Sequence, residues 1–362
     1  MAAVKTDSIQ TAAPENASRS PSAISIAIVT LMVIAALRLG QVVVLPVVIA
    51  VLLTLMLSAP VRWLHGKRVP ERVAAALVVF GAVGAGIGAA ALLVSPAMQW
   101  IEAAPETMQK LETKVRRIAM PLTVLQRSAD RMRQATGPAA PDAPKTVQLA
   151  SPGIFARVSL DTVAAIPIAL TVVFLTYFLL ANGPLFRRKL AGLLPGRVEL
   201  KRREHLLGEI EIAASHFLLT VTVVNTGVGV LTALALWAVG VPSPLLWGGI
   251  AAILNFVPYL GPFFTAVLIA LAALASIDEP ARALIAPAAF FVIILMESNF
   301  VTPTLLGRHL PVNSVAIFLG LLFFGWMWGI PGAVLAVPLT VCAKLVCDHV
   351  PALAHVGELL DN

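Results

Sequence analysis

Asn255-Phe256-Val257-Pro258-Tyr259-Leu260-Gly261-Pro262 lies in the middle of an apolar run, Leu245 to Leu274, that carries no charged residue. A run of that length is enough to cross a bilayer, because a helix needs about 20 apolar residues to do so. Two prolines and a glycine at its centre break the helical hydrogen-bond ladder. In hydrocarbon, the backbone groups so released must be satisfied by protein or must line a cavity. The run therefore predicts a broken or re-entrant hairpin whose break serves a pathway or binding site. Its length alone leaves open whether the two halves cross separately.

Around this hairpin the chain is 59% hydrophobic and 12% charged, against roughly 25% charged in soluble domains. Further apolar runs fall at Ser22 to Leu37, Gln41 to Val61, Val73 to Met98, Val158 to Ala181, Ala213 to Val241, Ala281 to Met296 and Val315 to Ala343. They predict an all-α polytopic integral membrane protein of about eight transmembrane helices. Residues 1–21 read as a disordered cytoplasmic tail rich in Pro, Ser, Thr and Ala. Residues 22–98 carry the first three transmembrane helices, 158–346 a C-terminal transmembrane bundle, and 347–362 a second cytoplasmic tail. Between the two membrane parts, 99–157 is expected to be an external amphipathic helical segment followed by a Pro/Ala linker. Its apolar residues at 101, 104, 108, 111, 115, 118, 122, 125, 129 and 132 alternate in threes and fours. That heptad stripe packs equally well on the membrane surface, on the bundle, or on a second copy as a homo-oligomer contact through 101–132.

Orientation follows from the short basic loops. Arg62, Lys67, Arg68 and Arg72 face a single Glu71, and a second basic cluster runs from Arg187 to Arg203. Both are expected on the cytoplasmic side, which places both termini there. The net charge of +7 is explained by this clustering, so no nucleic-acid partner is implied. Membrane lipids are the expected surroundings.

A second polar interruption reads Glu297-Ser-Asn299-Phe-Val-Thr-Pro303, and a third runs from Gly329-Ile-Pro to Gly332. A carboxylate at depth finds a cation or a donor, or takes up a proton. Candidate transport or coupling residues are thus Glu297, Asn299, Pro303, Asn255, Pro258, Gly261, Pro262 and Asn225, with Gly329 and Gly332 added for their break. Asn225 alone serves equally as glue between helices, and Gly329 to Gly332 equally as a surface turn. Glu297 has an interfacial alternative, given how near it lies to Arg308. No zinc-protease, nucleophile-elbow, Walker or dinucleotide motif occurs. Cys342 and Cys347 stand five apart on one helix and do not pair. No catalytic residue, metal site or cofactor is expected, and the partner implied is a small-molecule or cation substrate.

The ordered motifs resemble the AI-2E family of membrane permeases, the autoinducer-2 exporter-like family. They are Tyr177-Phe-Leu-Leu with Asn182-Gly183, Leu194-Pro195, Gly240-Val-Pro242, Leu246-Trp247-Gly248, the Asn255 to Pro262 break, Glu297-Ser-Asn299 with Pro303, Leu306-Gly307, Pro311, and Gly329 with Gly332 to Pro338. Singly each is weak; their order and spacing carry the resemblance. It implies a bacterial cytoplasmic (inner) membrane location and secondary transport that exports or exchanges a small solute of the autoinducer-2 kind. It also implies a sodium or other cation/proton antiporter as the alternative. A non-transporting oligomeric scaffold, assembled through the external segment, is the third reading.

Overall fold

The computed structural model describes residues 23–109, 112–114, 154–193, 200–306, 312–349, 357–358 and 360. Among the described residues every regular element is helical, so the protein is all-α. The tail 1–21 and the heptad stripe from 115 onward lie outside the described residues, as does most of the 347–362 tail.

The chain divides into two compact units, 1–44 and 45–362. The first contains α1 (Ala23–Leu39), an apolar helix that exposes Ile28, Leu31 and Met32. The second begins within α2 (Gln41–Gly66) and continues with α3 (Glu71–Glu102), α4 (Ile154–Ala181), α5 (Gly183–Leu193), α6 (Leu200–Val239), α7 (Pro244–Leu254) and α8 (Leu260–Ser276). A single turn, α9 (Pro280–Ala283), leads into α10 (Ile285–Met296), a π turn (Glu297–Val301), α11 (Thr302–Leu306) and the long α12 (Ser314–His349). Phe80, Ile87, Phe174, Trp237, Phe263, Phe291 and Phe318 are all exposed. A soluble surface does not carry so many large apolar side chains, whereas lipid accommodates them.

Five of the described helical segments are long and apolar enough to cross a membrane: Gln41–Gly66, Glu71–Glu102, Leu200–Val239, Pro280–Leu306 and Ser314–Asp348. The pair α4 and α5, bent by 84°, makes a sixth if counted as one span. The protein is therefore a multi-pass membrane protein. The apolar runs outnumber these crossings partly because Leu245 to Leu274 folds as two legs too short to be straight spans, 11 and 17 residues long.

Two polar clusters mark the ends of the 45–362 unit. At the first, Glu211 of α6 accepts from Arg62 of α2 and Arg187 of α5, each at 3.2 Å. At the other, Lys114 donates to the carbonyls of Leu274 and Ile277 at 3.0 and 2.9 Å. The Lys114 ammonium thereby caps the C-terminus of α8, where the helix dipole favours a cation.

Helix α7 runs back along α6 with almost no space between the backbones. A Cβ added at Gly248 would lie 2.7 Å from Ala233 Cβ, and one at Gly229 would lie 2.7 Å from Ala252 Cβ. Small residues four apart on both helices allow this approach, the usual device for packing helices in lipid. Helix α8 then returns beside α7. Gly261 sits so close that a Cβ would fall 1.8 Å from Leu254 O. Both legs of this first hairpin thus begin and end at the Lys114 end, and its tip stops partway along α6, beside Asn225; the run is broken, as expected from the sequence.

Helix α12 is also a hairpin. Gly329 has φ +67° and ψ −143°, which interrupts the helix. In a straight helix Gly320 and Thr340 would be about 30 Å apart, yet a Cβ on Gly320 would lie 2.3 Å from Thr340 Oγ1. The legs 314–328 and 330–349 therefore lie side by side. This second hairpin meets the tip of the first, where Val257, Leu321 and Ala336 are buried in one cluster.

Candidate functional site

The tip of the first hairpin is built by its sequence. Phe256 and Val257 end α7 in a turn, with Val257 N–H donating to Leu254 O at 2.8 Å. Pro258 cannot extend the ladder. Leu260 N–H then donates to Pro258 O at 2.7 Å across Tyr259, whose φ and ψ are +62° and −52°. This is a γ-turn of the uncommon hand, a conformation that costs free energy in a non-glycine residue. It reverses the chain within three residues and leaves Tyr259 67% exposed.

Asn255, at the C-terminus of α7, donates through Nδ2 to Asn225 Oδ1 of α6 at 2.9 Å. Asn225 stands about 21 Å of helix from Glu211 and about the same from Val239, at the middle of its span. It is 4% exposed, and its own Nδ2 is buried without a hydrogen-bond partner in the structure. Such a donor is costly to leave unsatisfied in an apolar interior.

Glu297 opens the π turn. Its Oε2 accepts from Ser298 Oγ at 3.2 Å, and its Oε1 accepts from Thr302 Oγ1. The π turn is closed by the Thr302 N–H donating to Glu297 O. π turns inside helices are frequent at functional sites because they re-aim the residues that they carry.

These groups border one cavity of about 550 Å³. Asn225, Asn255, Tyr259, Glu297, Ser298 and Thr302 supply its polar wall; Phe217, Val221 and Ile294 supply apolar wall, and Val312, Ile317, Val337 and Val341 bring in the second hairpin. Among the described residues Glu297 is the one acidic or basic residue in the wall. Small-solute sites commonly have this character, a largely apolar hollow with a few placed polar groups.

Of the residues singled out from sequence, Asn225, Asn255, Pro258, Pro262 and Glu297 come together in the cavity wall. Gly261 is not in the wall, but closes the hairpin behind it. Asn299 turns away, its Nδ2 donating to Leu295 O at 2.8 Å. Pro303 follows the π turn outside the wall. Gly329 and Gly332 form the turn of the second hairpin and do not line the cavity. Tyr259, Ser298 and Thr302 lie within the two broken stretches read from sequence as the site but were not singled out there, and Ser314 lies outside both. Ser298 and Thr302 lie in the same polar stretch as Glu297, but only the π turn sets both against its carboxylate. Among the described residues no group of His, Cys, Asp or Glu is placed to hold a metal ion.

A helical membrane protein whose broken hairpins enclose a partly polar cavity at mid-span has the build of a transporter. Residues 24–352 match the AI-2E family transporter, and the chain belongs to that family. The provisionally named transport protein YrrI of Bacillus subtilis is 29% identical over 314 residues, 84% of this chain and 86% of YrrI. The AI-2 transport protein TqsA of Escherichia coli is 28% identical over 194 residues, 51% of this chain and 55% of TqsA. YhhT of Escherichia coli, likewise a provisionally named transport protein, is 25% identical over 333 residues and 91% of each chain. The protein is thus a permease, and its relatives' names point to transport rather than catalysis.

Proposed function

We propose that the protein is a secondary transporter that exports or exchanges a small polar solute of the autoinducer-2 kind through the cavity between its two hairpins. The carrying observation is the meeting of Asn225, Asn255 and Glu297 in one cavity at the tip of the first hairpin. A small hydroxylated solute offers both donors and acceptors, matching an unpartnered amide and a carboxylate in one wall. The name of TqsA supports this cargo. In this reading the protein sits in the bacterial inner membrane with the Arg62 and Arg187 end in the cytoplasm, as the positive-inside bias requires.

The specific observation for a cation/proton antiporter is that, among the described residues, Glu297 is the sole acidic or basic residue in the wall. The two readings separate in proteoliposomes loaded with a pH dye and given labelled autoinducer-2 or a cation gradient. Solute flux without cation-evoked proton movement supports the exporter, with flux falling about tenfold or more in Asn225→Leu, as loss of a buried polar partner predicts. Cation-evoked proton movement that disappears in Glu297→Gln supports the antiporter. Absence of any flux from active-quality protein would overturn both and leave the scaffold.

A further inference from the structure

Several threonines in the described helices spend their hydroxyls on their own backbone, whereas Thr176 donates to Ala50 O of another helix and Thr232 and Thr265 have buried hydroxyls that do not back-bond. Thr54, Thr171, Thr222, Thr226, Thr304 and Thr340 each donate to the carbonyl four residues earlier, at 2.5 to 2.8 Å. This back-bonding is the default for a helical hydroxyl. Thr302 departs from it: its Oγ1 donates to the side chain of Glu297, five residues earlier.

In an α-helix a residue five positions on lies about 140° round the cylinder, too far round for that contact. The π turn Glu297–Val301 removes the offset, and the Thr302 N–H seals it on Glu297 O. Thr302 thus holds Glu297 by backbone and by side chain. Ser298 takes the second carboxylate oxygen, and all three residues line the cavity. Both carboxylate oxygens accept from hydroxyls, so the group is fixed in orientation while keeping lone pairs for a further donor or cation.

We propose that Thr302 is the positioning residue of the cavity carboxylate, and that the π turn exists to bring its hydroxyl there. The function of this arrangement rests on the reading of Glu297 as the group that meets the cargo. The geometry of the hold does not.

The test therefore has one arm independent of transport. Purified protein in detergent is treated with the apolar carboxyl reagent dicyclohexylcarbodiimide, and the rate of labelling at Glu297 is read by peptide mass spectrometry, with Glu297→Gln as background. Thr302→Val, which keeps the shape and loses the donor, is expected to label about tenfold faster, since the hydrogen bond that holds the carboxyl group is released. Thr302→Ser is expected to stay within about twofold of the parent, since it keeps the donor. Equal rates for Thr302→Val and the parent would overturn the proposal, as would Thr302→Ser labelling as fast as Thr302→Val. Should Thr302→Val not fold, Thr302→Ala removes the same donor without a branched side chain; faster labelling is expected there too, and a rate equal to the parent's would overturn the proposal. In proteoliposomes, Thr302→Val is expected to raise KM about tenfold with a smaller change in maximal rate, and Thr302→Ser to restore it. If Glu297→Gln transports like the parent, the role of Glu297 in the cavity falls while the labelling result still decides the hold.

Discussion

The hairpin of α7 and α8 and the hairpin within α12 close in the same way. Just past each turn a glycine sits against the opposite leg, where a Cβ would fall 1.8 Å from Leu254 O at Gly261 and 2.0 Å from Phe324 O at Gly332. They differ at the turn itself. Tyr259 takes a positive φ beside the cavity, whereas Gly329 takes one in open space, followed by Ile330 at 83% exposure. Pro and Gly inside an apolar run therefore mark a chain reversal in both, but only the first reversal lands among polar groups. Where the tip arrives, and not its composition, separates a turn that lines the cavity from one that does not.

The largest expected effect tests the likeness. Gly261→Ala and Gly332→Ala should each destabilise by about 3 kcal/mol, because a methyl group has to push two backbones apart. Thermal unfolding in detergent reads both, and a large loss at Gly261 alone would break the parallel.

The turns should then respond with opposite sign. Gly329→Ala places a Cβ at φ +67°, ψ −143° and should cost about 1–3 kcal/mol. Tyr259→Gly relieves a strained turn and should gain about 1 kcal/mol, while altering flux through the cavity that its ring borders. A neutral or destabilising Tyr259→Gly would show that the ring's contacts outweigh the strain. Smallest of all, Ile330→Ser at the exposed turn should change stability by less than about 0.5 kcal/mol and leave solute flux intact. A transport defect there would make the second turn part of the pathway and erase the contrast.

Much of this was legible in the sequence because its signals are local. The break at Pro258 to Pro262 announced a hairpin since proline removes a donor wherever it stands, and the charge-free legs announced lipid. Asn225, Asn255 and Glu297 stood out because polar groups in apolar runs need partners. The failures were of partnership. Asn299 and Glu297 share one short stretch, yet Asn299 spends its amide on Leu295 O while Glu297 faces the cavity. Gly329 and Pro258 both punctuate apolar runs, and nothing within either run tells which turn meets a second hairpin. Thr302 was invisible for a further reason: a π turn has no residue signature, and without it the hydroxyl belongs to the backbone.

Taken alone, the sequence determined that the protein is helical, membrane-embedded, broken at defined points and built like the AI-2E permeases. Those properties follow from hydrophobic runs, basic loops and residues that cannot continue a helix. The tertiary structure decided that Leu245 to Leu274 turns back on itself beside the middle of α6, and that α12 folds on itself at Gly329. It decided too that Asn225 and Asn255, thirty residues apart in sequence, share a hydrogen bond at mid-span. Close approach of backbones at Gly229, Gly248 and Gly261 makes these outcomes, and such contacts depend on what lies across the gap, which no run of residues records by itself.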